Sequence, residues 1–391
     1  MERKLRILMI AETPRNLAEI KGGVEAATVN LLTGFQNLMV EFHVVSIGAN
    51  FDEREIVKVN GGYIYYYPFT IKNSKFWEFL IFGNRKIKKL VQKIRPDIIH
   101  MQGTGPRLLM LRGLDKNKVV ITQHGIVSEE SKYKITLAQK AKFGIKAAYD
   151  NILLPRYHNL ISISEYNKRV QETIFKKNPK FNSTIIYNPV NPEFFKAKRP
   201  EKLTRIIFIG LVNKLKGVHI MLDALHELKK TNINYTLDIV GGTKEPDYWK
   251  QMKNKILAYE LNEQVVMHGW VDQTRVKDII GESSIFLLPS FQECLPISIA
   301  EAMAAGRVVV ATNTGGIPEM IIHKKSGFLF EKGNVRELVE ILKDIYMNKA
   351  EIERVSENAQ TEAIKKFEPK TVAHQTITYY QCLVSKNQQK G

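Results

Sequence analysis

Ile285-Phe286-Leu287-Leu288-Pro289-Ser290-Phe291-Gln292-Glu293-Cys294-Leu295-Pro296-Ile297-Ser298-Ile299-Ala300-Glu301-Ala302-Met303-Ala304-Ala305-Gly306 reads as strand, loop and helix in immediate succession. The run Ile285 to Leu288 is apolar at every position, the pattern of a parallel strand buried on both faces. Pro296 suits the first turn of a helix and Gly306 suits its stop. Glu293 then lies in the loop at the carboxyl end of the strand, and Glu301 lies inside an otherwise apolar helix of Ile, Ala and Met. A carboxylate in that second place must find a hydrogen-bonding partner or carry a desolvation cost of several kcal/mol. Two carboxylates flanking free helix N-terminal amides suit a ligand that carries both hydroxyls and phosphates. The acids accept from hydroxyls, and the amides receive phosphate oxygens.

Outward from this segment, strand-like and helix-like patterns alternate along the chain, which argues for parallel α/β sheets. In the first half the expected strands are 5–10, 42–47, 63–67, 97–101, 118–122, 159–163 and 184–187, with helices at about 23–38, 76–94, 133–154 and 165–175. The second half opens with Arg205-Ile206-Ile207-Phe208-Ile209-Gly210 and continues with strands at 235–240, 264–267, 285–288 and 308–311. The stretch from 334 to about 386 reads as helical. Between the halves, Asn188-Pro189-Val190-Asn191-Pro192 and Lys198-Arg199-Pro200 read as a linker. A chain of 391 residues suits two domains, expected at 1–190 and 191–369. In open α/β sheets ligands bind outside the carboxyl ends of the strands, so each half offers its informative loops on one side.

The net charge of +18 falls mostly in the first half, where residues 1–195 hold 30 Lys and Arg against 17 Asp and Glu. Residues 71–95 carry Lys72, Lys75, Arg85, Lys86, Lys88, Lys89, Lys93 and Arg95, interleaved with Phe76, Trp77, Phe79, Leu80, Ile81 and Phe82. Residues 132–156 add Lys132, Lys134, Lys140, Lys142, Lys146 and Arg156. Basic residues beside aromatics suit an anionic bilayer surface, at about 1 kcal/mol per nearby Lys or Arg. The plain alternative is a set of solvated helix faces. Nucleic acid is not expected as a partner, because no DNA- or RNA-binding module pattern accompanies the charge. No run of eighteen apolar residues occurs, so no transmembrane helix is expected. The basic-then-apolar start, Met1 to Ile10, reads as a first strand rather than a signal peptide. Cys294 and Cys382 are the two cysteines, too few for a disulfide framework and suited to a reducing cytoplasm.

Three further places carry chemistry. Lys21-Gly22-Gly23 follows the first strand, and paired glycines let the backbone approach a ligand closely, though Gly-Gly alone also serves as a plain turn. His124 ends the expected strand 118–122; a neutral imidazole there can bond a sugar hydroxyl, or be structural. Lys216, in Gly210-Leu211-Val212-Asn213-Lys214-Leu215-Lys216-Gly217, puts a cation after the first strand of the second half, where it can stabilise negative charge on a ligand or be simply solvated.

Glu293-x7-Glu301, Ala302-Met303-Ala304-Ala305-Gly306 and Thr312-Asn313-Thr314-Gly315-Gly316-Ile317-Pro318-Glu319 together resemble the retaining glycosyltransferases of family four. The resemblance implies the GT-B fold, two doubly wound Rossmann-like domains facing each other across a cleft, with a last helix at about 370–386 packing back on the first domain. It implies a UDP- or GDP-linked sugar donor and a glycan or lipid-linked acceptor. Catalytic roles then fall to Glu293, His124 and Lys216. Donor contacts fall to Gly22, Gly23, Lys214, Lys216, Val271, Glu293, Cys294, Leu295 and Glu301, with Glu301 on the ribose and the Gly269-Trp270-Val271 loop near the base. Family members need no protein nucleophile here, and no Asp-x-Asp-type metal site appears, so neither metal nor other cofactor is expected. The family usually has Arg where Leu211 stands, a charge that Lys214 could replace from one turn away. The resemblance and the charge together suggest surface polysaccharide or glycolipid synthesis; the cysteine count suits the cytoplasm, and the two basic stretches suit a peripheral place on the inner face of the membrane. A non-catalytic donor-binding scaffold, and a GT-B sugar-nucleotide epimerase or hydrolase, remain the other readings.

Overall fold

The computed structural model describes residues 3–16, 19–20, 22–48, 51–71, 74–131, 137–175, 180–198, 200 and 204–389. Two compact units divide the chain. The first comprises Met1–Leu17, Val24–Pro189 and Pro369–Gly391, and the second comprises Ala18–Gly23 and Val190–Glu368.

The first unit is built on an eight-stranded sheet of β1 (Leu5–Ile10), β2 (Val40–Gly48), β3 (Glu55–Val59), β4 (Gly62–Pro68), β5 (Ile98–Gln102), β6 (Val119–Gln123), β7 (Asn159–Ser162) and β8 (Asn182–Ile185). Their spatial order is β3-β4-β2-β1-β5-β6-β7-β8. Apolar residues run without interruption from Ile7 to Ile10 in β1 because both faces are covered there. Leu8 and Ile10 enter one core cluster, whereas Ile7 and Met9 enter the other. Strand β3 was not expected. It pairs antiparallel with β4 at the sheet edge, and its Glu-Ile-Val-Lys-Val sequence lacks a buried strand's apolar run.

The expected helix at 76–94 is not continuous. A short turn at Lys75–Trp77 leads into a π-helical turn at Glu78–Gly83, and the α-helix proper runs over Asn84–Ile94. The widened turn carries Glu78 into the interior, where its carboxylate accepts from the Thr70 and Ile71 amides at 2.8 and 2.9 Å and from Lys86 Nζ at 3.0 Å. The helix expected at 133–154 is described over Leu137–Leu153, with 133–136 outside the described residues, and a short helix covers Val127–Ser131. The C-terminal helix, Pro369–Gln388, belongs to the first unit. Its Tyr380 hydroxyl is bonded to His100 Nδ1 at 2.5 Å, and His100 Nε2 to Thr122 Oγ1 at 2.7 Å. Burial pulls the His100 imidazole down to about 3, so this bridge between helix and sheet is uncharged.

The second unit holds a wholly parallel six-stranded sheet of β9 (Arg205–Ile209), β10 (Thr236–Val240), β11 (Val265–Gly269), β12 (Ile285–Leu288), β13 (Val308–Thr312) and β14 (Phe328–Phe330). Its order is β11-β10-β9-β12-β13-β14. Strand β14, three residues long, was too short to register as a pattern. The chain winds outward from β9 through β10 to β11, then returns to β12 and winds the other way. That reversal makes the gap beyond the carboxyl ends of β9 and β12 the switch point where ligands bind in such sheets. In the first unit the same reversal falls between β1 and β5.

Candidate functional site

Three loops meet at the second unit's switch point, following β9, β12 and β13. Gly217 has φ +70°, and a Cβ there would lie 2.2 Å from the Pro289 carbonyl oxygen, so only glycine lets the β9 loop seat against the β12 loop. Gly315 has φ +57°, and its Cβ would fall 1.8 Å from the Glu293 carbonyl oxygen. Hydrogen bonds continue the lacing. The Phe291 amide donates to the Leu215 carbonyl at 2.8 Å, the Gly316 amide to the Glu293 carbonyl at 3.3 Å, and Thr314 Oγ1 to the Phe291 carbonyl at 3.2 Å. The main chain carrying Glu293 is thus fixed before any ligand arrives.

Lys216 and Glu293 meet directly. Lys216 Nζ donates to Glu293 Oε1, an ion pair whose side chains retain 22% and 10% of their exposure. The expectation treated the two as separate contacts, one for phosphate and one for sugar; here each is the other's partner. Asn213, which the sequence reading passed over, sets the register of this loop: its Oδ1 accepts from the Lys216 amide at 3.0 Å. The signal was an Asn three residues ahead of a short helical turn. Lys214 is exposed, and its amide donates to Glu245 Oε2 at 3.2 Å. Leu211 is half-buried.

The helix Ile297–Ala304 opens directly after the Glu293 loop, with Pro296 at its cap, a residue whose side chain makes no capping hydrogen bond. Glu301 lies one turn in and is 4% exposed. No hydrogen bond or ion pair of its carboxylate occurs among the described residues, and burial raises its pKa to about 8. At neutral pH it is a carboxylic acid, able to donate as well as accept. Leu295 puts its side chain into the core, and Cys294 is half-buried and in no disulfide among the described residues. Gly22 and Gly23 group with this unit, and a Cβ on Gly23 would sit 3.4 Å from Ile297 Cγ2, at the start of the same helix. Lys21, next to them, lies outside the described residues. Val271 follows the edge strand β11, two strands away from β9. Its neighbour Trp270 closes over Gly242, where a Cβ would fall 2.0 Å from the indole nitrogen, although the side chain is 62% exposed overall.

His124 stands in the first unit, just past β6. Its Nε2 is bonded to Gln102 Oε1 at 2.7 Å, a partner at the end of β5 that sequence reading did not single out. Burial drives the imidazole down to about 4, with the Asn188 side chain pulling the other way. The buried Nδ1 has no partner within hydrogen-bond limits among the described residues.

Two family models match the chain in tandem. "Glycosyltransferase Family 4" covers residues 21–194, and "Glycosyl transferases group 1" covers residues 190–362. The chain belongs to the family-four glycosyltransferases, and its two parallel-sheet units are those of the GT-B fold. Among curated relatives, the amylovoran biosynthesis glycosyltransferase AmsK of Erwinia amylovora is 31% identical over 172 residues, a match spanning 42% of either chain. Among solved structures, a sucrose-phosphate synthase of Thermosynechococcus elongatus superposes with TM-score 0.81 at 16% identity, over 98% of this chain and 100% of the other. Anabaena HepE in complex with UDP and glucose gives TM-score 0.70 at 17% identity, over 96% and 99%.

Proposed function

We propose that this chain is a retaining glycosyltransferase that moves a sugar from a nucleotide-diphosphate sugar to a hydroxyl of a glycan or lipid-linked acceptor. One observation carries the reading: Lys216, Glu293 and the start of the helix carrying Glu301 converge where the second sheet reverses its winding. In this reading the diphosphate lies against the amides at the helix start and the Lys216 ammonium, and Gly22 and Gly23 leave room for it. Glu293 accepts from sugar hydroxyls, and Glu301 meets the ribose. The nucleotide base sits against the loop at Val271. As the bond to the sugar breaks, Lys216 stabilises the charge on the phosphate oxygen, which takes the acceptor's proton on the same face of the ring. His124 accepts from a sugar hydroxyl through Nδ1. Neither a protein nucleophile nor a metal is needed.

AmsK's role in amylovoran synthesis and HepE's UDP and glucose support a polysaccharide-building role with a UDP-linked donor. We place the enzyme in the cytoplasm, at the inner face of the membrane. Exposed Phe76 and Trp77 beside exposed Arg85, Lys88 and Lys89 support that placement. Stereochemistry tests the mechanism. Proton NMR of the product formed from an α-linked donor and a lipid-extract acceptor is expected to show an α-linkage, and a β-linkage would refute retention.

A further inference from the structure

We propose that the Lys216–Glu293 pair is a charge latch that makes the site prefer an intact nucleotide sugar over the nucleoside diphosphate left after transfer. This rests on the donor-site reading above. The main chain on both sides of the pair is held by the Phe291, Gly316 and Lys216 amide bonds, so only the two side chains are free to re-pair.

In the empty site the ammonium belongs to Glu293. A diphosphate can take it only by leaving a carboxylate, 10% exposed, without its counter-charge and close to a second anion. Stranding a shielded charge in this way is strongly unfavourable. A nucleotide sugar relieves the penalty, because its hydroxyls donate to Glu293 as the phosphate takes Lys216. A bare nucleoside diphosphate has only its ribose hydroxyls, which in this reading lie at Glu301, and none of the transferred sugar's. Once the sugar has moved to the acceptor, Glu293 loses its donors and competes again for Lys216, loosening the spent nucleotide. The latch therefore couples sugar recognition to phosphate binding, and it speeds product release.

Calorimetric titration of the full chain with UDP, GDP, ADP, UDP-glucose, GDP-mannose and ADP-glucose tests this. The wild type is expected to bind one sugar nucleotide more tightly than its own nucleoside diphosphate. Glu293→Gln, which keeps the shape and accepts hydroxyls without the charge, is expected to tighten the bare diphosphate by about tenfold and erase the preference. In a Lys216→Met background the same substitution is expected to change that affinity at least about threefold less. An unchanged or weakened diphosphate affinity in Glu293→Gln overturns the latch while leaving the donor site standing. Failure of all six compounds to bind the wild type overturns the donor site itself. If Glu293→Gln does not fold, Glu293→Asp, whose carboxylate is one methylene shorter, is expected to shift affinity in the same direction by a smaller factor, and no shift overturns the proposal.

Discussion

Glu301 is a carboxylic acid that folding keeps protonated. Its pKa rises from about 4.5 to about 8 through burial alone. Below the lower value it is neutral in both states. Between the two values the folded chain holds a proton that the unfolded chain has released, so stability falls as pH rises through this window. Every tenfold weakening of the acid on folding corresponds to about 1.4 kcal/mol. Glu301→Gln removes the titration, so its gain in melting temperature over the wild type should grow from pH 5 to pH 8. A gain independent of pH would mean that the carboxyl finds a charged partner. His124 works the other way. With its pKa lowered to about 4, the unfolded chain binds a proton that the folded chain does not, so this residue erodes stability as pH falls below about 6.5. His124→Phe should flatten that acid limb of the melting curve. Activity should fall by about tenfold or more as the Nδ1 acceptor is lost, and an unchanged rate would place His124 outside the chemistry.

At the scale of elements, the helix Gly23–Phe35 and the C-terminal helix touch at Gly34. A Cβ there would stand 2.2 Å from the Pro369 carbonyl oxygen. Alanine in a helix interior ordinarily stabilises by about 0.5–1 kcal/mol over glycine. Here the sign should invert: Gly34→Ala should lower the melting temperature, because backbone has to move, at about 1–3 kcal/mol. A rise would show that the contact is loose. Strong periodicity made most elements legible, and the two long loops carrying Lys216 and Glu293 were placed by the strands that precede them. What escaped has identifiable reasons. The π-turn at Glu78–Gly83 follows from one carboxylate taking two backbone amides and Lys86, a tertiary arrangement with no local signature. The same arrangement corrects the basic surface. Lys86 is tied to Glu78 and Phe79 is in the core, so Phe76 and Trp77 are the aromatics of that stretch left exposed. The pairing of Lys216 with Glu293, 77 positions apart, was equally beyond local pattern.

At the scale of the whole molecule, charge and exposed apolar residues coincide on the first unit. Trp77 is 50% exposed near the basic helix Asn84–Ile94, and Ile145 and Ile152 are exposed on the helix that carries Lys140 and Lys146. Lys72, Lys132 and Lys134 of the expected basic stretches lie outside the described residues, as does the side chain of Lys142. No helix among the described residues is long and apolar enough to cross a membrane. Sedimentation with liposomes should therefore show salt-sensitive binding to anionic vesicles and little to neutral ones, weakened by Trp77→Ser with Lys88→Glu. Equal pelleting on both would remove the membrane from the account.

The central claim, a nucleotide-sugar site at the second unit's switch point, meets its most direct test in a thermal-shift screen of the full chain against UDP, GDP, ADP and their common sugar conjugates. One nucleotide should stabilise the protein. The shift should be lost in Glu301→Ala, and Lys216→Ala should weaken it by about 1.5–3 kcal/mol, as expected for a hydrogen bond to a charged group. No shift with any nucleotide at millimolar concentration would contradict the claim.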